Sequence, residues 1–239
     1  MGGRRLASPS IKKTLDPRPP ILRKYHTIIQ RALRESIPDS KESVYLMLRY
    51  AMGWADEKGS PISGSSGKGL RPTLCLLTCE ASGGTIQAAL PAAASLELIH
   101  NFSLIHDDIQ DRDELRHHRP TLWRIWGDPK ALVSGNILRV LADRILSDLN
   151  NLNIDHSTAI IVMSLLTQGY LQMIEGQYMD LEYESRTTVD VDQYMTMISR
   201  KTGALIRCSA EIGAVLGSAR QEQVKVMREW GRLLGFVFQ

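Results

Sequence analysis

The segment Ser95 to Pro120 reads SLELIHNFSLIHDDIQDRDELRHHRP and holds the residues best suited to chemistry. Residues of an ideal helix advance 100° each. His100, Ser103, Asp107 and Asp111 therefore share an arc of about 80°, with Asp108 on its flank and Ile99, Phe102, Ile105 and Ile109 roughly opposite. Carboxylates at i, i+1 and i+4 repel one another, by a few tenths of a kcal/mol per pair when exposed and by more when partly buried. A compensating charge is called for. Oxygen-only donors with no neighbouring Cys suit a hard cation, Mg²⁺ or alternatively Mn²⁺, and Mg²⁺ binds through one or two carboxylates plus waters and substrate phosphates. The plainer alternative is that DDIQD is a solvated acidic turn offset by Arg112 and Arg116.

Basic residues extend the pattern. Arg116, His117, His118 and Arg119 follow the acids, and Lys68, Arg71 and Lys201 stand elsewhere in the chain. Carboxylates holding Mg²⁺ among Arg and Lys side chains would make a site for a polyanion such as a diphosphate. His106 points off the Asp107 stripe and is read as a packing or supporting residue. The stretch Gly59 to Gly69, GSPISGSSGKG, approaches a P-loop but fails, because Ile62 stands where that motif needs Gly and Gly69 where it needs Ser or Thr. What remains is a loop delivering Lys68 and Arg71 to a helix start, where free N–H groups favour an anion.

The elements that must position these residues are helical almost throughout. The pattern predicts helices over about 21–37, 40–58, 70–82, 85–111, 129–150, 155–183, 188–217 and 220 to the end. Asp39, Asp128 and Asp190 sit at candidate N-caps, and Gly83 and Gly84 at a helix stop. Connections are short and there is no internal repeat. The organisation is one all-α domain over 21–239 after a disordered basic tail, 1–20.

Composition agrees. Of 239 residues 43% are hydrophobic and 6% aromatic, so a core can form and β-rich architectures are disfavoured. Lys and Arg exceed Asp and Glu by 29 − 26 = 3, too little to argue for nucleic acid. No run of 18 or more apolar residues suggests a transmembrane segment. Cys75, Cys79 and Cys208 form no CxxC pair, and their odd number points to a reducing compartment and a cytoplasmic protein. The basic N-terminus lacks a secretory h-region and resembles an organelle transit peptide only faintly.

Six motifs, in order, give the chain a resemblance: GKGLRP at 67–72, LELIHNFSLIHDDIQD at 96–111, Arg116 then RPT at 119–121, GQYMDL at 176–181, KTGAL at 201–205 and GFVFQ at 235–239. Together they resemble the trans-isoprenyl diphosphate synthases, the polyprenyl synthetase family. The resemblance implies the isoprenoid synthase fold, long antiparallel helices around a central cavity in a homodimer. It also implies condensation of isopentenyl diphosphate with an allylic diphosphate. By that analogy Asp107 and Asp111 are Mg²⁺ ligands supported by Asp108. Lys68, Arg71 and His100 hold isopentenyl diphosphate, Arg116 and Lys201 bind the allylic diphosphate, and Thr202 and Gln177 face the developing carbocation. Phe102 takes the place where the family uses bulk to limit product length, which favours a C15 or C20 product. From the residues alone it is equally a core Phe.

The sequence departs from that pattern in places. His117 stands where the family has a second Arg, which should weaken the grip on isopentenyl diphosphate, and Asn136 stands where Asp is common. No second DDxxD follows GFVFQ, so the expectation is a chain lacking the C-terminal part of the fold. Two other readings stay open: a terpene cyclase on the same scaffold, which His117 favours and Lys68, Arg71 and His100 oppose, and a non-catalytic homologue acting as a partner subunit.

Overall fold

The computed structural model describes residues 18–62, 67–152 and 154–238. Ten α-helices occur among them: α1 (Pro20–Ser36), α2 (Ser43–Ala51), α3 (Leu70–Ala81), α4 (Ile86–Gln110), α5 (Leu122–Trp126), α6 (Asp128–Leu146), α7 (His156–Glu184), α8 (Val191–Ile198), α9 (Ala204–Leu216) and α10 (Gln221–Phe238). The expected tail lies outside the described residues as far as residue 17, and so do 63–66 of the Gly/Ser loop and the last residue of GFVFQ.

Helix α4 is the axis of the fold. Thr85 caps its start, accepting from the Ala88 N–H. Its N-terminal half is thin: Ala89, Ala92, Ala93 and Ala94 are at most 1% exposed, so neighbouring helices approach its backbone closely. It packs against α1, α3, α6, α7 and α9, and Ser95 ties it to α6 by donating to the Ala142 carbonyl at 2.7 Å. By length and mean hydropathy both α4 and α7 could cross a bilayer, although neither is an unbroken apolar run. For α4 that hydropathy belongs to a core helix enclosed by its neighbours.

The expected boundaries need correction in four places. Helix α2 starts at Ser43 and ends at Ala51, and the chain then turns through 52–62, where Gly53 and Gly59 adopt positive φ. Asp39 therefore caps nothing, and Asp128 is the first residue of α6 rather than its cap. Asp190 is a true cap, forming a reciprocal capping box with Gln193, and Asp155 caps α7 by accepting from Thr158. The expected helix 188–217 is two helices joined by a π turn at Ser199–Gly203.

Between α4 and α5 lies a two-residue hairpin, β1 (Leu115–Arg116) with β2 (Arg119–Pro120), that helical periodicity did not reveal. His117 and His118 form its turn with φ of 50° and 62°. Two successive left-handed residues make the turn whose twist suits a tight hairpin, a geometry that favours Asn-Gly and strains residues with a Cβ. His118→Gly should therefore stabilise the protein by about 0.5–1 kcal/mol in urea unfolding. A loss of stability would show that the His118 side chain makes a contact outweighing the strain.

Candidate functional site

The C-terminal end of α4 concentrates negative charge. The last carbonyls of a helix carry the negative end of its dipole, and this helix adds Asp107, Asp108 and Asp111 there. Arg112 follows with φ of 58°, and the Asp113 N–H closes back on the Asp108 carbonyl at 3.1 Å, a left-handed stop that holds the acids on the final turn. The solvated-turn alternative fits the exposed Asp111 but not Asp108. Asp108 is only 5% exposed, and Arg112 turns away to Asp128 at 2.8 Å.

The carboxyls titrate accordingly. Burial pushes Asp107 up to about 6, with Asp111 and Asp108 adding to the rise and Lys201 and Arg116 opposing it. Burial also raises Asp108, against the Arg116 Nε–H that donates to its Oδ1 at 2.6 Å. Among the described residues no three His, Cys, Asp or Glu side chains converge on one point. A cation here would take one or two carboxylates, from Asp107 and Asp111, and complete its shell with water and phosphate oxygens, the mode suited to Mg²⁺. Asp108 is committed to Arg116 instead.

A cavity of about 440 Å³ opens beside this end. The first turn of α3 enters it, because Gly69 at φ 63° turns the chain and starts the helix at Leu70. Lys68, Arg71, His100, Asp108, Arg116 and Thr202 all line it. Arg71 is 9% exposed, and its Nε–H is buried with no hydrogen-bond acceptor. His100 is held well below the ordinary imidazole range by burial, then by Arg71 and Arg116, so it is neutral and offers one ring N–H. His117 reaches the cavity as well.

Asp107, Asp111, Gln177 and Lys201 gather where α7 and the π turn meet α4. Gln177 is buried and donates from Nε2 to Gln110 at 3.0 Å and to Asp111 Oδ1 at 3.5 Å, and Lys201 pairs with Asp180 of α7. The contact depends on Gly176: a Cβ there would stand 2.1 Å from the Lys201 backbone nitrogen. Phe102 is not brought into this group. It packs edge-on against His106 with centroids 4.6 Å apart, close to Gly135 of α6, and does not line the cavity. His106, whose Nε2–H donates to the Leu132 carbonyl at 3.3 Å in the tautomer that carries a proton there, is a packing residue.

Two residues on or beside the site escaped sequence reasoning, and a third has a role other than the expected one. Glu97 lines the cavity one turn before His100, and its place on the same helical stripe was the available signal. Gly176 gives no sign of its role in sequence. Arg119 belonged to the expected basic cluster, yet its guanidinium donates to the carbonyls of Tyr50 (3.2 Å) and Ala55 (2.7 Å) and stacks 3.9 Å from the Tyr50 ring centroid. It clamps the hairpin to the end of α2.

The profile of the family described as polyprenyl synthetase matches residues 54–239. A (2E,6E)-farnesyl diphosphate synthase of Mycobacterium tuberculosis is 39% identical over 220 residues, covering 92% of this chain and 60% of that protein. A geranylgeranyl diphosphate synthase of Methanosarcina mazei is 35% identical over 212 residues, covering 88% and 61%. The crystal structure of a polyprenyl synthetase from Streptomyces coelicolor A3(2) superposes with a TM-score of 0.85 at 36% identity, covering 92% of this chain and 63% of that one. The chain thus spans about 60% of the length of the curated relatives it matches.

The raised Asp107 carboxyl fixes the sign of a stability effect. Its folded value, about 6, lies above the ordinary 3.8, so the fold penalises the charged form and stability is given up as pH rises from about 4 to about 6. Asp107→Asn should stabilise the metal-free protein by about 1–2 kcal/mol at pH 8 and by nothing at pH 4, measured by chemical unfolding. Equal effects at both pH values would remove the charge argument.

Proposed function

Because the chain belongs to the polyprenyl synthetase family, we propose that it carries a prenyltransferase site joining isopentenyl diphosphate to an allylic diphosphate, with a farnesyl or geranylgeranyl product. The observation that carries the reading is a cavity whose wall joins Lys68 and Arg71 at the start of α3 to Asp108 and Arg116 at the end of α4, with Asp107 and Asp111 on the same last turn beside α7. Two diphosphates need this division, one beside a metal and the other held by cations alone. An intact cationic pole serves a second diphosphate substrate, which a cyclase would not need.

Asp107 and Asp111 would hold Mg²⁺, which when bound neutralises charge building on the leaving diphosphate. Arg116, oriented by Asp108, and Lys201 donate N–H groups to the same diphosphate. Lys68, Arg71 and the neutral His100 hold the isopentenyl diphosphate. The allylic C–O bond breaks, the alkene of the second substrate supplies the electron pair for the new C–C bond, and a proton leaves the adjacent carbon to a diphosphate oxygen. The dipoles of Thr202 and Gln177 lower the energy of the intervening positive charge. No side chain acts as nucleophile. The protein contributes orientation and a water-poor cavity.

A homodimer fits the outer faces of α6 and α7, which touch through Arg139 stacked over Tyr170. Val140 (65%), Ile160 (66%) and Tyr178 (68%) lead a run of exposed apolar side chains along both, more than an isolated surface should carry. A cytoplasmic setting agrees with three free, buried cysteines.

The assay is purified protein with Mg²⁺ and geranyl or farnesyl diphosphate, with and without labelled isopentenyl diphosphate. A longer diphosphate formed only with isopentenyl diphosphate is expected, and Asp107→Ala should lower turnover at least about 100-fold. Unchanged turnover in that variant would remove the metal assignment, and a hydrocarbon or alcohol made without isopentenyl diphosphate would make the chain a cyclase. Sedimentation should show a dimer that Val140→Glu with Ile160→Glu converts to a monomer. A wild-type monomer at tens of micromolar would end the dimer reading.

A further inference from the structure

One buried acid on the cavity wall has no part in that mechanism. Glu97 is 6% exposed and projects from α4 one turn before His100. The chain passes close over it: a Cβ on Gly67 would stand 3.8 Å from Glu97 Oε1. Arg71, on the same wall, has no hydrogen-bond acceptor for its buried Nε–H, and Glu97 is the charge that acts on it. Two buried opposite charges thus stand near each other without a direct hydrogen bond.

Basic side chains outnumber acidic ones around it. From the start of α3 come Lys68 and Arg71, from α4 His100 and Asp108, and from the hairpin Arg116 and His117. Arg119 is spent on backbone carbonyls, and α10 and the π turn contribute only the uncharged Phe238 and Thr202. Burial favours the neutral acid at Glu97, while Arg71 and the Asn101 amide favour the carboxylate. Burial outweighs both, and Arg71 is the larger of the two supports. An anion that draws on Arg71 weakens that support and sets its own negative charge beside the carboxylate.

We infer that Glu97 is the counter-charge of Arg71 in the empty cavity and takes up a proton when a diphosphate binds there. The inference rests on the reading of this cavity as a diphosphate site. The proton comes from solvent and ends on a Glu97 oxygen, and no bond of the ligand breaks. Once Glu97 is neutral, the terminal N–H groups of Arg71 serve the anion alone, which makes Glu97 a positioning residue for Arg71. Linkage then requires diphosphate affinity to fall as pH rises, by up to about tenfold per pH unit where uptake is complete.

The test is calorimetric titration of the full chain with inorganic diphosphate at pH 8, without Mg²⁺, in two buffers of different ionisation enthalpy. The proton number follows from the difference between the buffers. Glu97→Gln, similar in shape and uncharged, should take up about one proton fewer than the wild type. A structural role for Glu97 would move the melting temperature and leave the proton count alone. Equal uptake in the two proteins overturns the inference while leaving the diphosphate reading intact, whereas absence of binding to the wild type overturns both. If the variant does not fold, infrared difference spectra of the wild type labelled with [¹³C]glutamate decide the matter. Diphosphate should produce a protonated-carboxyl band that moves with the label, and a spectrum without one overturns the inference.

Discussion

The structure turns on an unfavourable electrostatic arrangement, three carboxylates placed at the negative end of a long buried helix. Helix dipoles favour cations at that end, so α4 carries at its last turn the residues it can least stabilise unaided. Much of the surrounding structure supplies the missing positive charge. Arg116 reaches Asp108 from the hairpin, and Lys201 lowers the Asp107 carboxyl from across the site. The opposite pole, at the start of α3, is cationic by sequence and by helix end together. An anion-bearing substrate with a divalent cation would relieve both poles at once.

Holding such a site open takes rigid supports. Tyr50 donates to the Pro120 carbonyl at 2.7 Å while Arg119 grips the segment after α2, so the hairpin bearing Arg116 moves with that segment. Thr121 closes the base of the hairpin onto the Asp113 carbonyl at 2.8 Å. On the other side, close backbone approach at Gly176 sets the distance between α7 and the turn that carries Lys201 and Thr202. The strain at His117 and His118 is borne within this frame.

Most of the helices and the acidic centre were legible because both leave periodic marks. The face shared by His100, Asp107 and Asp111 follows from helical geometry alone, and α3, α4 and α7 fall within a residue or two of their predicted bounds. What escaped is what breaks a period. The hairpin has strands of only two residues, too short for alternation to show, and the turn after α2 interrupts a pattern that reads as continuous helix. Phe102 illustrates another limit. Spacing already turned it away from the Asp107 stripe, where it packs against His106 and Gly135, and only the resemblance pointed it at substrate. Glu97 was overlooked because a single acid in an apolar helix reads as surface until its burial is known.

The π turn at Ser199–Gly203 carries a consequence of its own. Such a turn is one extra residue accommodated within an α-helix, so side chains after it are rotated by about 100° relative to the register of those before. Helices α8 and α9 therefore obey two different angular phases, although the sequence runs through them without a break. Removal of one residue between 199 and 203 would merge the phases into a single straight helix and swing either Lys201 and Thr202 or the buried face of α9 away from its neighbours. A change of length in this segment would therefore disturb the packing of a whole helix, where a substitution acts at one position.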